Sequence, residues 1–215
     1  MKKSLLLFTF VLGSSYAAWA GTCTTGTLAT YDVAGFSCSI DDVTFSGFGY
    51  VPSGSVIISA ADVAVTPEIV GGEVGFQFNA PWFALPGDFL DSFIDYTATC
   101  NGCQIDDLAL AMGGYGAGTG GIVRVDESSS SADLTVGQAG TTTIPTDSAT
   151  FTPVGSLSVS KDILLGGGTS GLGSAVSSVT NLFSTTPAVV PEPSLLLLTV
   201  GLLGLAPIAR RKFVR

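Results

Sequence analysis

The sequence predicts an all-β protein, an antiparallel β-sandwich of jelly-roll type flanked by a signal-peptide helix and a short C-terminal hydrophobic helix. Three observations carry that expectation. Apolar residues recur with a period of two along most of the chain, as half-buried strands require. Gly, Pro and Ser clusters interrupt those runs at short intervals, with 28 glycines and 10 prolines in 215 residues, which leaves little room for helices. Hydrophobic residues make up 46% of the chain and charged residues 12%, enough apolar surface for a packed core.

Residues 1–20 read MKKSLLLFTFVLGSSYAAWA. A basic start at Lys2 and Lys3, an apolar run over 5–12 and the small-residue pattern Ala18-Trp19-Ala20 are the layout of a secretory signal peptide cut between Ala20 and Gly21. The run falls short of the roughly 20 apolar residues that span a bilayer. A β-rich ectodomain over 21–183 is expected to follow, outside the reducing cytoplasm.

Within it, alternation predicts strands at 43–50, 62–66, 74–78, 93–99, 104–112, 122–125, 134–136 and 157–165. Segment 170–183 carries two signals. Leu172, Val176, Val179 and Phe183 fall at helical spacing, whereas its Ser, Thr and Val content suits a strand; a final strand fits the β character of everything before it. Residues 184–190, Ser-Thr-Thr-Pro-Ala-Val-Val, read as a linker.

Four cysteines in an oxidising compartment imply two disulfides, with three pairings open. Cys23 with Cys38 and Cys100 with Cys103 are favoured because sequence neighbours meet without any assumption about topology. The first closes a loop worth about 3 kcal/mol on the chain-entropy estimate. Asn101-Gly102 between the second pair forms a two-residue turn that would staple a hairpin. A redox role for this C-x-x-C lacks a following helix start, and a zinc site lacks both a second C-x-x-C and any histidine.

Charge narrows the partners. Between residues 21 and 190 stand 13 Asp and 3 Glu against Arg124 and Lys161, a net charge of −14. Phosphate backbones and anionic headgroups repel such a surface, so no nucleic-acid partner is expected. Without histidine there is no Ser-His-Asp triad and no Cys-His dyad. A carboxylate-pair glycosidase is the enzyme class left standing, and it is the least favoured reading. No cofactor and no metal is assigned. Asp88, Asp91 and Asp95, the pairs Asp41-Asp42 and Asp106-Asp107, and Asp126-Glu127 read as solvated edge and loop charges, with a calcium site as the alternative.

Other motifs fall away on context. Glycine patterns at 116–121 and 166–171 match G-x-G-x-x-G without the later strand and acidic residue of a dinucleotide fold. Ser158-Val159-Ser160-Lys161 matches S-x-x-K without its partner motifs and reads as strand sequence with outward serines. The segments Cys38-Ser39-Ile40-Asp41-Asp42-Val43 and Cys103-Gln104-Ile105-Asp106-Asp107-Leu108 echo one another, by chance or as duplicated strand entries in two facing sheets. Trp82 and Phe83, in the proline-bounded segment 81–86, read as a loop packed on the core, with a candidate ligand loop as the alternative, since exposed aromatic rings stack on sugars.

The last 25 residues hold Pro191-Glu192-Pro193, a charge-free stretch over 195–209, and Arg210, Arg211, Lys212 and Arg215. As a helix the stretch rises about 22 Å, less than the ~30 Å hydrocarbon core. This ordered trio resembles the PEP-CTERM sorting signal of Gram-negative bacteria. The resemblance implies an exosortase partner that recognises Pro191, Glu192 and Pro193, with Arg210, Arg211 and Lys212 as the cytoplasmic basic stop. It further implies export through the inner membrane, transient inner-membrane association through the C-terminal helix, and delivery to the cell surface or extracellular matrix, where exopolysaccharide is a candidate partner. Pro207 inside the apolar stretch and Phe213-Val214 inside the basic cluster depart from the pattern. The expected role is structural or adhesive, the alternative a carbohydrate- or calcium-binding module.

Overall fold

The computed structural model describes residues 20–188. Ala18, Pro191, Glu192, Pro193, Arg210, Arg211 and Lys212 therefore lie outside the described residues, as do both expected terminal helices.

Sixteen strands follow one another: β1 (Gly21–Thr22), β2 (Gly26–Thr27), then a single helical turn α1 (Leu28–Tyr31), β3 (Ser37–Ile40), β4 (Val43–Gly54), β5 (Ala64–Val70), β6 (Glu73–Ala84), β7 (Phe89–Cys100), β8 (Cys103–Gly113), β9 (Gly116–Thr119), β10 (Ile122–Ser129), β11 (Asp133–Ala139), β12 (Thr142–Ile144), β13 (Thr146–Val154), β14 (Ser156–Gly166), β15 (Ser170–Phe183) and β16 (Thr185–Pro187). They form two sheets. Sheet I runs β1-β3-β4-β7-β14-β10-β11-β12, and sheet II runs β13-β8-β15-β6-β5-β2, with β16 beside β8 and β9 beside β15. β1 joins β3 in parallel, and the long central strands pair antiparallel. This is the expected sandwich.

Its jelly-roll character comes from repeated changes of sheet. From β6 the chain crosses to β7, back to β8, and later from β13 to β14 and from β14 to β15. Consequently β14 inserts between β7 and β10, and β15 between β6 and β8. The centre of each sheet is closed only by these late strands.

Alternation explains the core. Leu90, Ser92, Ile94, Tyr96, Ala98 and Cys100 on β7, and Leu157, Val159, Lys161, Ile163 and Leu165 on β14, point inward. Tyr96 sits among Phe45, Phe48, Phe76, Phe78 and Phe183, with ring centroids 5.3 to 6.4 Å away. Aromatic packing of this kind contributes beyond the burial of area.

Segment 170–183 is strand, and its helix-like spacing has a local cause. The register of β15 against β6 shifts between Val176 and Ser178, so Val176 and Val179, three apart, both face inward. The same device at Ser46 to Gly49 turns both Phe45 and Phe48 to the core.

The disulfides are Cys23–Cys38 and Cys100–Cys103, and among the described residues no free cysteine remains. The hairpin expected at the second is corrected. β7 belongs to sheet I and β8 to sheet II, so Asn101-Gly102, with Gly102 at φ 80°, carries the chain across the sandwich instead of folding it within one sheet. The linker is corrected too: Thr185, Thr186 and Pro187 pair with Ile105, Gln104 and Cys103, extending the domain beyond residue 183. The echoed segments do not share a structure. Asp41-Asp42 is the turn between β3 and β4, whereas Asp106-Asp107 lies within β8.

Candidate functional site

The candidate ligand loop is strand. β6 continues to Ala84, and Pro81 is tolerated because it falls where the ladder to β15 shifts register, between Asn79 and Trp82. Alternation then sends Trp82 and Phe83 to opposite faces. Trp82 is 1% exposed and donates from Nε1 to Ser92 Oγ at 3.2 Å; the Tyr50 hydroxyl lies 3.0 Å from the same oxygen. The indole thus struts the two sheets apart and is removed from any ligand site.

Phe83 remains on the surface at 41% exposure, with Tyr115 at 37% and Leu172 at 89%. The three line one open groove of about 590 Å³ on the outer side of sheet II, floored by glycines of β9 and β15. No residue lining it carries a charge. Such a surface suits stacking against a flat, uncharged ligand and supplies no acid or base. The sequence reading reached Phe83 and missed Tyr115, which follows a Gly-Gly turn and has no alternating neighbour to mark it.

Asp91, Asp95, Asp126 and Asp162 lie on the outer face of sheet I, whereas Asp106 and Asp107 belong to β8 of sheet II. Phe93 of β7 and Asp126 of β10 flank Asp162 in register. Burial pushes the Asp162 carboxyl up to about 6, helped by its hydrogen bond to Asp91 and by the charges of Asp91 and Asp126, against the opposing pull of Arg124. Arg124 pairs with Asp126 at 2.7 Å. Asp91 Oδ1 and Asp162 Oδ1 are both buried without a hydrogen-bond partner among the described residues. Among the described residues no three metal-ligating side chains converge.

A different cluster lies inside the sandwich. Glu127 of β10 and Lys161 of β14 stand directly opposite each other in the ladder, and both side chains are fully buried on the inner face of sheet I. Lys161 Nζ donates to Glu127 Oε2. Asn181 reaches across from β15 in sheet II, donating from Nδ2 to Glu127 Oε1 at 3.0 Å and to the Ala109 carbonyl at 3.1 Å. The Tyr96 hydroxyl donates to Asn181 Oδ1. Burial holds the Lys161 ammonium well below its usual pKa and raises that of Tyr96, so the phenol stays neutral and the amine releases its proton more readily than an exposed lysine does.

Sequence reasoning passed over this cluster, although a signal was present. Lys161 shares parity with Leu157, Val159, Ile163 and Leu165, and Glu127 with Val123 and Val125. A charge at core parity in each of two strands points to an internal pair. Ser158 and Lys161 of the S-x-x-K match face opposite sides of β14.

No protein-family profile matches the sequence, and no curated protein matches it. Among solved structures, the chain is similar to the carbohydrate-binding module TmCBM61 in complex with β-1,4-galactotriose, at 9% identity and TM-score 0.28, covering 64% of this chain and 88% of that one. It is also similar to the enzymatically active domain of tailspike protein 4 of bacteriophage CBA120, at 13% identity and TM-score 0.26, covering 66% of this chain and 20% of that one. Similarity at this level informs on neither ligand nor activity. What stands is the architecture described above: the chain folds as an all-β, disulfide-closed, jelly-roll-like sandwich.

Proposed function

We propose that the protein is exported, handed by an exosortase to the cell surface or extracellular matrix, and acts there as a structural or adhesive domain without catalysis. The observation that carries this reading is the ordered trio of Pro191-Glu192-Pro193, the charge-free stretch 195–209 and the Arg210-Arg211-Lys212 cluster. Support comes from the signal-peptide layout of residues 1–20 and from two disulfides, which persist outside the cytoplasm. Glu192→Ala tests the sorting step. The variant is expected to accumulate uncut in the inner-membrane fraction while the unaltered protein leaves it; equal release of both would discard the assignment.

A second reading rests on the charge-free groove. Phe83 and Tyr115 present two ring systems to solvent beside Leu172, which suits a neutral polysaccharide, and exopolysaccharide is the ligand this location would offer. Each stacking ring contributes about 1 kcal/mol. Phe83→Ala with Tyr115→Ala should therefore weaken retention on the host's exopolysaccharide by at least tenfold in affinity electrophoresis, with unchanged Tm. Undiminished retention would remove the groove from consideration.

A further inference from the structure

We propose that Lys161 and Asn181 become joined by an intramolecular amide bond, with Glu127 as the proton carrier, so that a third covalent cross-link ties sheet I to sheet II. The geometry points to this because both reactants are hydrogen-bonded to the two oxygens of one carboxylate: Lys161 Nζ to Oε2 and Asn181 Nδ2 to Oε1 of Glu127. The nucleophile and the leaving nitrogen are thereby held on the two oxygens of a single carboxylate. Tyr96 donates its hydroxyl to Asn181 Oδ1, where negative charge gathers during attack on the carboxamide. This is the donor an acyl-transfer intermediate requires.

The surroundings favour the reaction over its competitors. Lys161, Glu127 and Asn181 are all buried, so water is kept from the acyl carbon. Burial also disfavours the ammonium form of Lys161, releasing the lone pair that an amine needs to act as a nucleophile. The two residues sit on β14 and β15, in opposite sheets, held in register by long ladders on both sides. Orientation of this kind replaces a chance encounter by a fixed near-attack arrangement.

The atoms balance without any oxidant or cofactor. Lys161 passes one proton to Glu127, and the neutral Nζ attacks the side-chain carbonyl carbon of Asn181, forming the new C–N bond. A second proton moves from Nζ through Glu127 to Nδ2, the old C–N bond breaks, and ammonia leaves. An ammonium, a carboxylate and a carboxamide thus become a secondary amide, ammonia and a carboxylic acid. The buried ion pair disappears in the process. This removes the desolvation cost that an unreacted Lys–Glu pair carries in an apolar core.

The test is a mass measurement on the full-length protein after reduction of its disulfides. Trypsin does not cut after an acylated lysine, so the expected digest is intact between Lys161 and Asp162. A second protease cutting after aromatic and leucine residues should then release a branched peptide joining Lys161 to Asn181, lighter than its two parts by one ammonia. Tryptic cleavage after Lys161 in the reduced, denatured protein, with unbranched Asn181 peptides of unmodified mass, would overturn the proposal. So would an ammonia loss found only in an unbranched peptide containing Asn101, where ring closure onto Gly102 is the source. Glu127→Gln should keep the length of the side chain and abolish the branched peptide; if it cross-links as fully as the unaltered chain, Glu127 is not the proton carrier.

Discussion

At the scale of single residues, the informative side chains are those whose surroundings oppose their chemistry. Asp162 is one. Its folded-state pKa of about 6 lies above the ordinary 3.8, so the native state holds more protons than the unfolded chain between about pH 4 and pH 6, and stability falls as pH rises through that window. Asp162→Asn removes the penalty. Because Asp162 is only partly buried, solvent screening limits the gain at pH 7 to about 1 kcal/mol or less. Urea melts should show the variant more stable at neutral pH and the difference closing near pH 4. Glu127 and Lys161 behave differently, since removing one partner strands a buried charge. Lys161→Ala should cost about 3–5 kcal/mol by the same assay, whereas substitution of an exposed carboxylate such as Asp32 should change little.

At the scale of elements, strands were legible wherever alternation ran unbroken. β7, β8 and β14 stand close to where the period-two pattern puts them. Errors arose where the period slips. The bulge beside Val176 gave β15 a helical spacing, and the register shift at Pro81 made the end of β6 resemble a loop, although the expected core packing of that segment holds for Trp82. Turn chemistry located Asn101-Gly102, yet a local turn carries no information about whether its two strands share a sheet. The buried cluster was hidden for a related reason: parity shows that Lys161 and Glu127 point inward, but only the assembled sandwich brings Asn181 to them from the facing sheet. Close approach there also constrains β6. A Cβ on Gly75 would lie 2.0 Å from the Asn181 carbonyl oxygen, so Gly75→Ala should destabilise the domain by about 1–3 kcal/mol and disturb the cluster, visible as a lowered urea midpoint.

At the scale of the whole molecule, non-local pairing dominates. β14 and β15 complete the two sheets last in sequence, and their partners lie far away along the chain. Folding of such a topology is expected on the millisecond-to-second scale. Covalent closure compensates by limiting the unfolded ensemble. The Cys23–Cys38 loop, with a sequence separation of 15, contributes about 3 kcal/mol on the chain-entropy estimate. For the Cys100–Cys103 loop, with a separation of 3, the same estimate gives about 1.5 kcal/mol. Replacing each pair by serines should rank the losses in that order. The result is a disulfide-closed, acidic domain that bears an uncharged aromatic groove. The proposed placement requires two processing events, at residues 20–21 and near 191. Intact mass and terminal sequencing of the protein recovered from surface, matrix and inner-membrane fractions of its native host test both at once. The predicted result is a species beginning at Gly21 and ending near Pro191 outside the inner membrane; an uncut chain retaining Arg210 and Arg211 in the membrane fraction would contradict it.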